Sequence, residues 1–166
     1  MRSVLLTCTL LLTACTAFAQ NADTAPLTAL VGHWEGGGTF NKTAMSEAGA
    51  VKSTTDCAWS PQQRYLVCEQ TITQDKTISA QLAIYTPSAG QDFRFYRVSG
   101  SGNPYAGKVT IKGSTWVYDD VVNDGKTEIR TTNTFTGDEE VFKTEFSTDG
   151  GPWTTMLEGK LHRAKK

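Results

Sequence analysis

Arg97 is the residue of this sequence best suited to bind a ligand. It alternates with Phe93 and Phe95 along a predicted strand, so it shares their inward face. A guanidinium on an inward face is costly unless it finds a partner, and its planar set of donors suits a carboxylate. Two interpretations are open. Arg97 binds the anionic group of a small ligand, or it reaches solvent at a strand end or pairs with a carboxylate of the protein.

The neighbours expected for Arg97 form a polar layer. Pairing the predicted strands places Ala80 opposite Arg97, Gln70 opposite Ala80 and Thr55 opposite Gln70. Ala80 has the smallest side chain of this row, which leaves room beside the guanidinium. If the barrel is open, Arg97 and Gln70 are expected to bind the anionic group of a ligand. The apolar part of that ligand is expected to lie against Leu82, Phe95, Trp59 and Tyr118.

A second polar row is expected on the last three strands. It consists of Asn133, Thr144 and Thr155, which the predicted registers bring to one inward face. These side chains could line a hydrated cavity that binds a ligand. Alternatively, they could satisfy one another in a ladder of hydrogen bonds. Both interpretations place them inside the protein.

The two histidines could in principle ligate a metal ion or a haem. His33 alternates with Trp34, so it points outward if Trp34 points inward. His162 has no surrounding motif of ligand spacing. We expect both to be surface residues, and the sequence predicts no metal site and no cofactor.

Adjacent acids are the other candidates for catalysis. They occur as Asp119-Asp120 and Glu139-Glu140, and neighbours on a strand face opposite sides, so neither pair is arranged for acid/base catalysis. We expect them to be solvated charges near turns. No Ser, Cys or Thr lies in a nucleophile-elbow motif, and no triad is apparent. The sequence therefore predicts a protein that is not an enzyme.

Short strands separated by turn residues account for most of the chain. Their spacing is typical of an all-β fold, here an up-and-down antiparallel barrel of about ten strands. A brief helical turn is expected at Leu27–Val31, before the first strand. The predicted strands are His33–Phe40, Val51–Ser60, Tyr65–Thr73, Thr77–Tyr85, Phe93–Ser99, Gly107–Lys112, Thr115–Val122, Thr127–Phe135, Val141–Thr148 and Trp153–Arg163.

Three tight turns fix registers that can be checked against one another. They lie at Gln62-Gln63, Gly113-Ser114 and Asp149-Gly150, and each gives one apolar and one polar face. That agreement favours a sheet closed on an apolar interior. The expected pairs are Cys57 with Cys68 and Trp59 with Leu66; Ile111 with Trp116, Val109 with Tyr118 and Lys108 with Asp119; Phe146 with Trp153, Thr144 with Thr155 and Phe142 with Leu157.

The N-terminal segment has the features of an export signal. Arg2 precedes an apolar run, and Ala17-Phe18-Ala19 is a small-x-small cleavage pattern. Residues 1–19 are thus expected to be a signal peptide, 20–26 a linker and 27–166 the barrel domain. In the alternative, Leu12-Thr13-Ala14-Cys15 is a lipobox and Cys15 becomes a lipid anchor. Both interpretations predict an exported protein, periplasmic or secreted, with a membrane contact only if Cys15 is lipidated.

Export changes the expectation for the cysteines. Two of the four, Cys8 and Cys15, lie in the signal, which leaves Cys57 and Cys68 in the mature domain. Facing residues on paired strands are close enough for a disulfide, which an oxidising compartment favours. The alternative is a pair of buried free thiols. We predict the disulfide.

The composition limits the partners. The 166 residues contain 16 Lys and Arg against 17 Asp and Glu, a formal net charge of -1. A nucleic-acid groove needs a basic excess, so no nucleic-acid partner is expected. We expect one domain and a monomer.

The segment that opens the predicted barrel carries a family resemblance. In Leu30-Val31-Gly32-His33-Trp34 a glycine stands two residues before a tryptophan, and three glycines follow at 36–38, typical of a close backbone approach. The motif resembles the lipocalin and calycin superfamily, and more closely a family of small exported bacterial proteins with a lipocalin-like fold and no assigned function. The resemblance implies that Trp34 closes the base of a barrel and that Arg163 packs over it, with Gly32 as the third structural residue.

Two functions are compatible with such a barrel. The first is the binding of a small apolar or amphipathic ligand inside it, by Arg97, Gln70, Thr55, Tyr118, Phe95 and Asn133. The second is the binding of another protein through the loops, for example as an enzyme inhibitor. A roomy interior would favour the first function and a sealed core the second.

Overall fold

The computed structural model describes residues 24–87, 92–100, 102, 104–122 and 125–164. A short 3-10 helix, Ala25–Leu30, precedes ten antiparallel strands that close into one barrel. Each strand pairs with the next, and the first pairs with the last, which confirms the predicted fold. The strands are β1 (Gly32–Phe40), β2 (Gly49–Trp59), β3 (Leu66–Gln74), β4 (Thr77–Pro87), β5 (Asp92–Ser99), β6 (Pro104–Lys112), β7 (Thr115–Val122), β8 (Thr127–Thr136), β9 (Glu139–Thr148) and β10 (Thr154–Arg163).

Two of the three turn-based registers are confirmed. In β2–β3, Cys57 lies opposite Cys68 and Trp59 opposite Leu66. In β6–β7, all three expected pairs occur, including Lys108 opposite Asp119. These two residues share a position in the sheet but do not form the expected ion pair. Instead, Lys108 Nζ lies 2.6 Å from Asp92 Oδ2, and Arg130 Nε lies 2.7 Å from Asp119 Oδ1.

The predicted register of β9–β10 is wrong. Phe146 lies opposite Thr154 rather than Trp153. The expected turn does form, since the Gly151 N–H donates to the Thr148 carbonyl at 3.0 Å. Pro152 follows directly and has no N–H to donate to the ladder, so regular pairing resumes one residue later than a simple hairpin would allow.

A bulge in β10 changes which of its side chains face the interior. The register shifts between Thr155 and Leu157, so Leu157 rather than Thr155 lies opposite Thr144, and Gly159 rather than Leu157 lies opposite Phe142. Thr155 pairs with Glu145 instead. Because neighbours alternate between the faces of a strand, Thr155 lies on the face away from Thr144. It is therefore not part of the predicted polar row.

The predicted facing of β4 is also wrong. Its turn from β3 is the two-residue Asp75-Lys76, with Gln74 paired directly to Thr77, and Asp75 adopts a φ of +52°. The prediction used three residues there. A one-residue change of register moves every side chain of a strand to the other face.

The consequence for β4 is an exchange of its inner and outer residues. Gln81 lies opposite Gln70, and Ala83 rather than Ala80 lies opposite Arg97. Even-numbered residues of β4 face outward, where Ile78 is 70% exposed. The outward residues include Ala80, Leu82 and Ile84, which the alternation of apolar residues had placed inside.

One end of the barrel is closed by Trp34, which is fully buried. Its indole Nε1 donates to the Leu30 carbonyl at 2.9 Å. The Arg163 guanidinium lies over the indole, with Cζ 4.4 Å from the ring centroid, and donates to the carbonyls of Ala29 and Val31. These contacts bind the 3-10 helix to the base of the barrel, because they satisfy carbonyls that the short helix cannot pair itself.

Glycines let β1 approach β10 closely. A methyl group on Gly159 would overlap the backbone of Gly37 and Gly38, and one on Gly37 would overlap the carbonyl of Val51. The ring of Phe142 covers the space above Gly159. A side chain at either glycine would therefore have to push the backbones apart.

The predicted disulfide between Cys57 and Cys68 is present and joins β2 to β3. Both residues are buried in the core. A disulfide in this position indicates an oxidising compartment. The signal sequence, the lipobox and Cys15 lie outside the described residues. No helix within the described ranges is long and apolar enough to cross a membrane.

Candidate ligand-binding site

The interior of the barrel contains a cavity of about 260 Å³. It is lined by Leu30 and by inward side chains from β2 to β10. Its volume is near the lower end of the range of about 300–1,000 Å³ typical of small-molecule sites. The six residues that the sequence assigned to ligand binding all line this cavity: Thr55, Gln70, Phe95, Arg97, Tyr118 and Asn133.

Arg97 lies near the end of β5 and faces the cavity. Its guanidinium packs on the rings of Tyr105 and Phe95, with Cζ 5.1 and 6.0 Å from their centroids. No carboxylate of the described residues forms an ion pair with it. Stacking therefore orients the guanidinium where it lines the cavity.

Gln70 belongs to a hydrogen-bonded network on the cavity wall. Its Nε2 donates to Ser53 Oγ at 3.1 Å, and its Oε1 accepts a hydrogen bond from Gln81 Nε2. Both ends of the amide are thus satisfied within the protein. Of the two expected anion-binding groups, Arg97 is the one that shows only aromatic contacts with the described residues.

Two tyrosines and a phenylalanine form the aromatic wall. The hydroxyls of Tyr85 and Tyr118 are 3.4 Å apart, and the ring of Phe95 lies 5.4 Å from that of Tyr118. Burial raises the pKa of both tyrosines, so they remain neutral. Leu82 lies on the outer face and Trp59 does not line the cavity, contrary to the prediction for the apolar wall.

Glu140 is the residue that the sequence reasoning missed. It was expected to be solvated, yet it is 5% exposed and lines the cavity. Asn133 Nδ2 donates to its Oε1 at 2.6 Å. Burial raises the pKa of the Glu140 carboxyl to about 7. The alternation of Glu140, Phe142 and Thr144 could have placed it inward, but the predicted strand began at Val141, whereas β9 begins at Glu139.

Asp120 is likewise inside, whereas Asp119 is outside. Asp120 lines the cavity and accepts a hydrogen bond from the Tyr105 hydroxyl, which together with burial raises the pKa of Tyr105. The prediction that adjacent acids face opposite sides was right. The prediction that both acids of each pair are solvated was wrong, because one of each pair occupies an inward strand position.

The second polar row has a different membership from the one predicted. Thr131 Oγ1 and Thr144 Oγ1 are 3.0 Å apart, so Thr144 contacts Thr131 of β8 rather than Thr155 of β10. Two buried atoms on the cavity wall have no hydrogen-bond partner, namely Thr55 Oγ1 and Asn133 Oδ1. Buried polar atoms are almost always paired, so these two mark positions where a bound molecule could supply the partner.

Both histidines lie on the outer face. His33 Nδ1 is 2.8 Å from Asp56 Oδ1, and His162 Nε2 is 3.2 Å from Glu35 Oε1. Within the part of the chain that the structure describes, no three potential metal ligands come together.

Comparisons with known proteins identify the fold. No protein-family profile matches the sequence, and no curated protein is significantly similar to it. Among solved structures, the chain resembles Rv2717c from M. tuberculosis, with a TM-score of 0.63 and 15% identity over 85% of this chain and 96% of that one. It also resembles the S-type phycobiliprotein lyase CPES from Guillardia theta, with a TM-score of 0.60 and 13% identity over 84% and 90% of the two chains.

The second of these structures corrects one prediction. Because a phycobiliprotein lyase is an enzyme with this fold, the lack of a linear catalytic motif does not make this chain a non-enzyme. Asp120 and Glu140 also line one cavity although they form no motif in the sequence, so a linear motif is not needed to place ionisable groups in one site. Both neighbours are calycin barrels. By fold, the chain is a closed, lipocalin-like β-barrel of ten antiparallel strands.

Proposed function

We propose that the barrel binds a small amphipathic ligand in its cavity and that Arg97 binds the ligand's anionic group. The observation that carries this proposal is a guanidinium that lines an internal cavity and forms no ion pair with a carboxylate of the described residues. Such a group is stabilised when a bound anion supplies the missing charge and acceptors. Its planar donors match a carboxylate in two parallel hydrogen bonds.

The rest of the ligand packs against the aromatic wall. Tyr85, Phe95 and Tyr118 present their rings to the cavity, and aromatic faces of this kind are typical of small-molecule sites. The volume of about 260 Å³ favours a compact ligand, such as a small aromatic or medium-chain acid. A cavity of this kind supports ligand binding over the alternative function, the binding of a protein through the loops.

We further propose that the barrel is exported from the cytoplasm. The disulfide between Cys57 and Cys68 supports an oxidising location. We assign the protein to the small exported bacterial barrels that the Leu-x-Gly-x-Trp opening resembles. The mass of the mature N-terminus tests this assignment: cleavage after Ala19 fits a soluble exported protein, an acylated Cys15 fits a lipid-anchored one, and an intact leader contradicts export.

Calorimetric titration with hydrocinnamate and octanoate tests the role of Arg97. In Arg97→Met the binding of these acids should weaken by roughly 1.5–3 kcal/mol, the range for a hydrogen bond to a charged group. The matched control is Arg94→Met, because Arg94 is an exposed residue on the outer face of the same strand. Equal binding by both variants, or no binding of either acid to the parent protein, would contradict the proposal.

Thermal unfolding separates binding from folding in these variants. Among the described residues no carboxylate pairs with Arg97 that its removal could leave unpaired, so Arg97→Met should fold with a stability close to that of the parent. A large loss of stability without a loss of binding would assign Arg97 a structural role instead.

A further inference from the structure

We propose that the cavity has a second polar pole, formed by Glu140 and Asn133, which accepts hydrogen bonds from an ammonium or N–H group of the ligand. This inference rests on the proposed function and makes it more specific. The ligand would carry an anionic group at one end, bound by Arg97, and a nitrogen donor at the other.

The two poles lie toward opposite ends of the barrel. Strands β5 and β9 run in the same direction, because strands of a closed antiparallel barrel alternate. Glu140 is the second residue of β9, whereas Arg97 is the third from the end of β5. The turn before β9 lies at the closed base, since Arg163 Nε donates to Asp138 Oδ1 at 3.1 Å. Glu140 is therefore near the base and Arg97 near the other end.

The second polar pole has more hydrogen-bond acceptors than donors. Asn133 Nδ2 is committed to Glu140, and this orientation of the amide leaves its Oδ1 as an acceptor that is buried and has no partner. Glu140 is 5% exposed, and Asn133 is its only hydrogen-bond partner among the described residues. An amide oxygen accepts hydrogen bonds and cannot donate them, and the same is true of an ionised carboxylate. The group that would satisfy both is a hydrogen-bond donor.

The charge at this pole also favours a cationic donor. Burial raises the pKa of Glu140 to about 7. No basic side chain of the described residues forms an ion pair with it. The other ionisable groups that face the cavity do not provide a compensating charge. Tyr85 and Tyr118 remain neutral, Asp120 is acidic and bound to Tyr105, and Arg97 forms no ion pair with Glu140. A ligand ammonium would supply that charge.

A matched pair of acids tests the inference. Hydrocinnamate has an aromatic ring and a carboxylate, and its para-aminomethyl derivative adds an ammonium at the opposite end. We expect the derivative to bind tighter by roughly tenfold or more, which is the lower range for a hydrogen bond to a charged group. Titration calorimetry with the full mature chain gives both affinities.

Two variants assign the gain to a residue. In Glu140→Gln the advantage of the aminomethyl derivative over hydrocinnamate, with both affinities measured on that variant, should disappear. Glu139→Gln is the matched control, because Glu139 is the adjacent residue on the outer face, where it pairs with Lys160. The control should retain the full advantage.

A measurement on the unaltered protein keeps the test valid should Glu140→Gln fail to fold. An ammonium beside Glu140 lowers the pKa of the carboxyl, so binding of the derivative at about pH 6 should release a proton. Hydrocinnamate should release none. Calorimetry in two buffers of different ionisation enthalpy measures this difference.

The outcomes separate the two proposals. If hydrocinnamate binds and the derivative binds no tighter and releases no proton, the second pole is refuted and the role of Arg97 stands. If the advantage persists in Glu140→Gln, the donor binds elsewhere and the assignment is overturned. If neither acid binds, the proposed function fails and the second pole fails with it.

Discussion

Replacing Glu140 by glutamine should stabilise the barrel at alkaline pH and leave it unchanged in acid. The Glu140 side chain is almost completely buried, and its ionised form has been removed from water without gaining a cationic partner. Glutamine has nearly the same shape, and its amide oxygen can accept the same hydrogen bond from Asn133. The substitution thus removes the buried charge and keeps the packing.

The size of this effect follows from the pKa of the carboxyl. Because each pKa unit corresponds to about 1.4 kcal/mol, a rise from 4.5 to about 7 amounts to a penalty of at most about 3.5 kcal/mol for the folded, ionised form. The hydrogen bond from Asn133 favours the ionised form and so reduces this penalty.

The sign of the pH dependence is fixed by which state holds the proton. Below the unfolded-state pKa of 4.5 both states are protonated, and no penalty exists. As the pH rises toward about 7, the unfolded chain loses the proton first, so the parent protein loses stability over this window. Above it the whole penalty is present. Glu140→Gln should be free of this loss.

Urea unfolding at about pH 4 and about pH 8 measures the difference. We expect parent and Glu140→Gln to have equal free energies of unfolding in acid, and the variant to be more stable by up to about 3.5 kcal/mol in base. Glu139→Gln, on the outer face, should show no such divergence. A Glu140→Gln variant that is no more stable than the parent at the higher pH would refute the reasoning.

Three further predictions concern the frame of the barrel. Removing the disulfide by Cys57→Ala with Cys68→Ala should lower the free energy of unfolding in urea by about 2–3 kcal/mol, because the bond spans only 11 residues; an unchanged value would contradict this. Arg163→Lys should lower it by about 1–3 kcal/mol, since lysine cannot both stack on the base tryptophan and reach two carbonyls; thermal melting, with His162→Gln as the exposed control, decides. Gly159→Ala should cost about 3 kcal/mol or prevent folding, because the methyl group meets the β1 backbone. The control is Gly49→Ala, whose methyl group meets only a flexible glutamine side chain. If Gly159→Ala has a melting temperature as high as that of Gly49→Ala, the strands can separate to accept the methyl group.

The parts of the fold that the sequence predicts are those fixed by local geometry. Turn residues and the period of two placed all ten strands, and the register across β2–β3 brought Cys57 opposite Cys68. The facing of β4 was wrong because apolar residues occur on both of its faces, and a turn of two rather than three residues decides between them. The bulge in β10 has no comparable local signal.

Within the site, the facing of Arg97 was predicted correctly although the register of its partner strand was not. Its alternation with Phe93 and Phe95 on its own strand is independent of the β4 register, which only exchanged Ala80 for Ala83 as its neighbour. Glu140 was missed for a different reason. An acid beside a turn is usually solvated, and only the extension of β9 to Glu139 makes its position an inward one.

The most direct test of a ligand site in the barrel is an NMR titration of the mature protein with a panel of small aromatic and medium-chain acids, observing the side-chain Nε–Hε signals of its arginines. The account predicts a saturable shift of the Arg97 signal, with backbone shifts at Gln70 and Tyr118 on the cavity wall, and no shift at Arg94 on the outer face. Acids that shift only outer-face signals, or none at all, would contradict it.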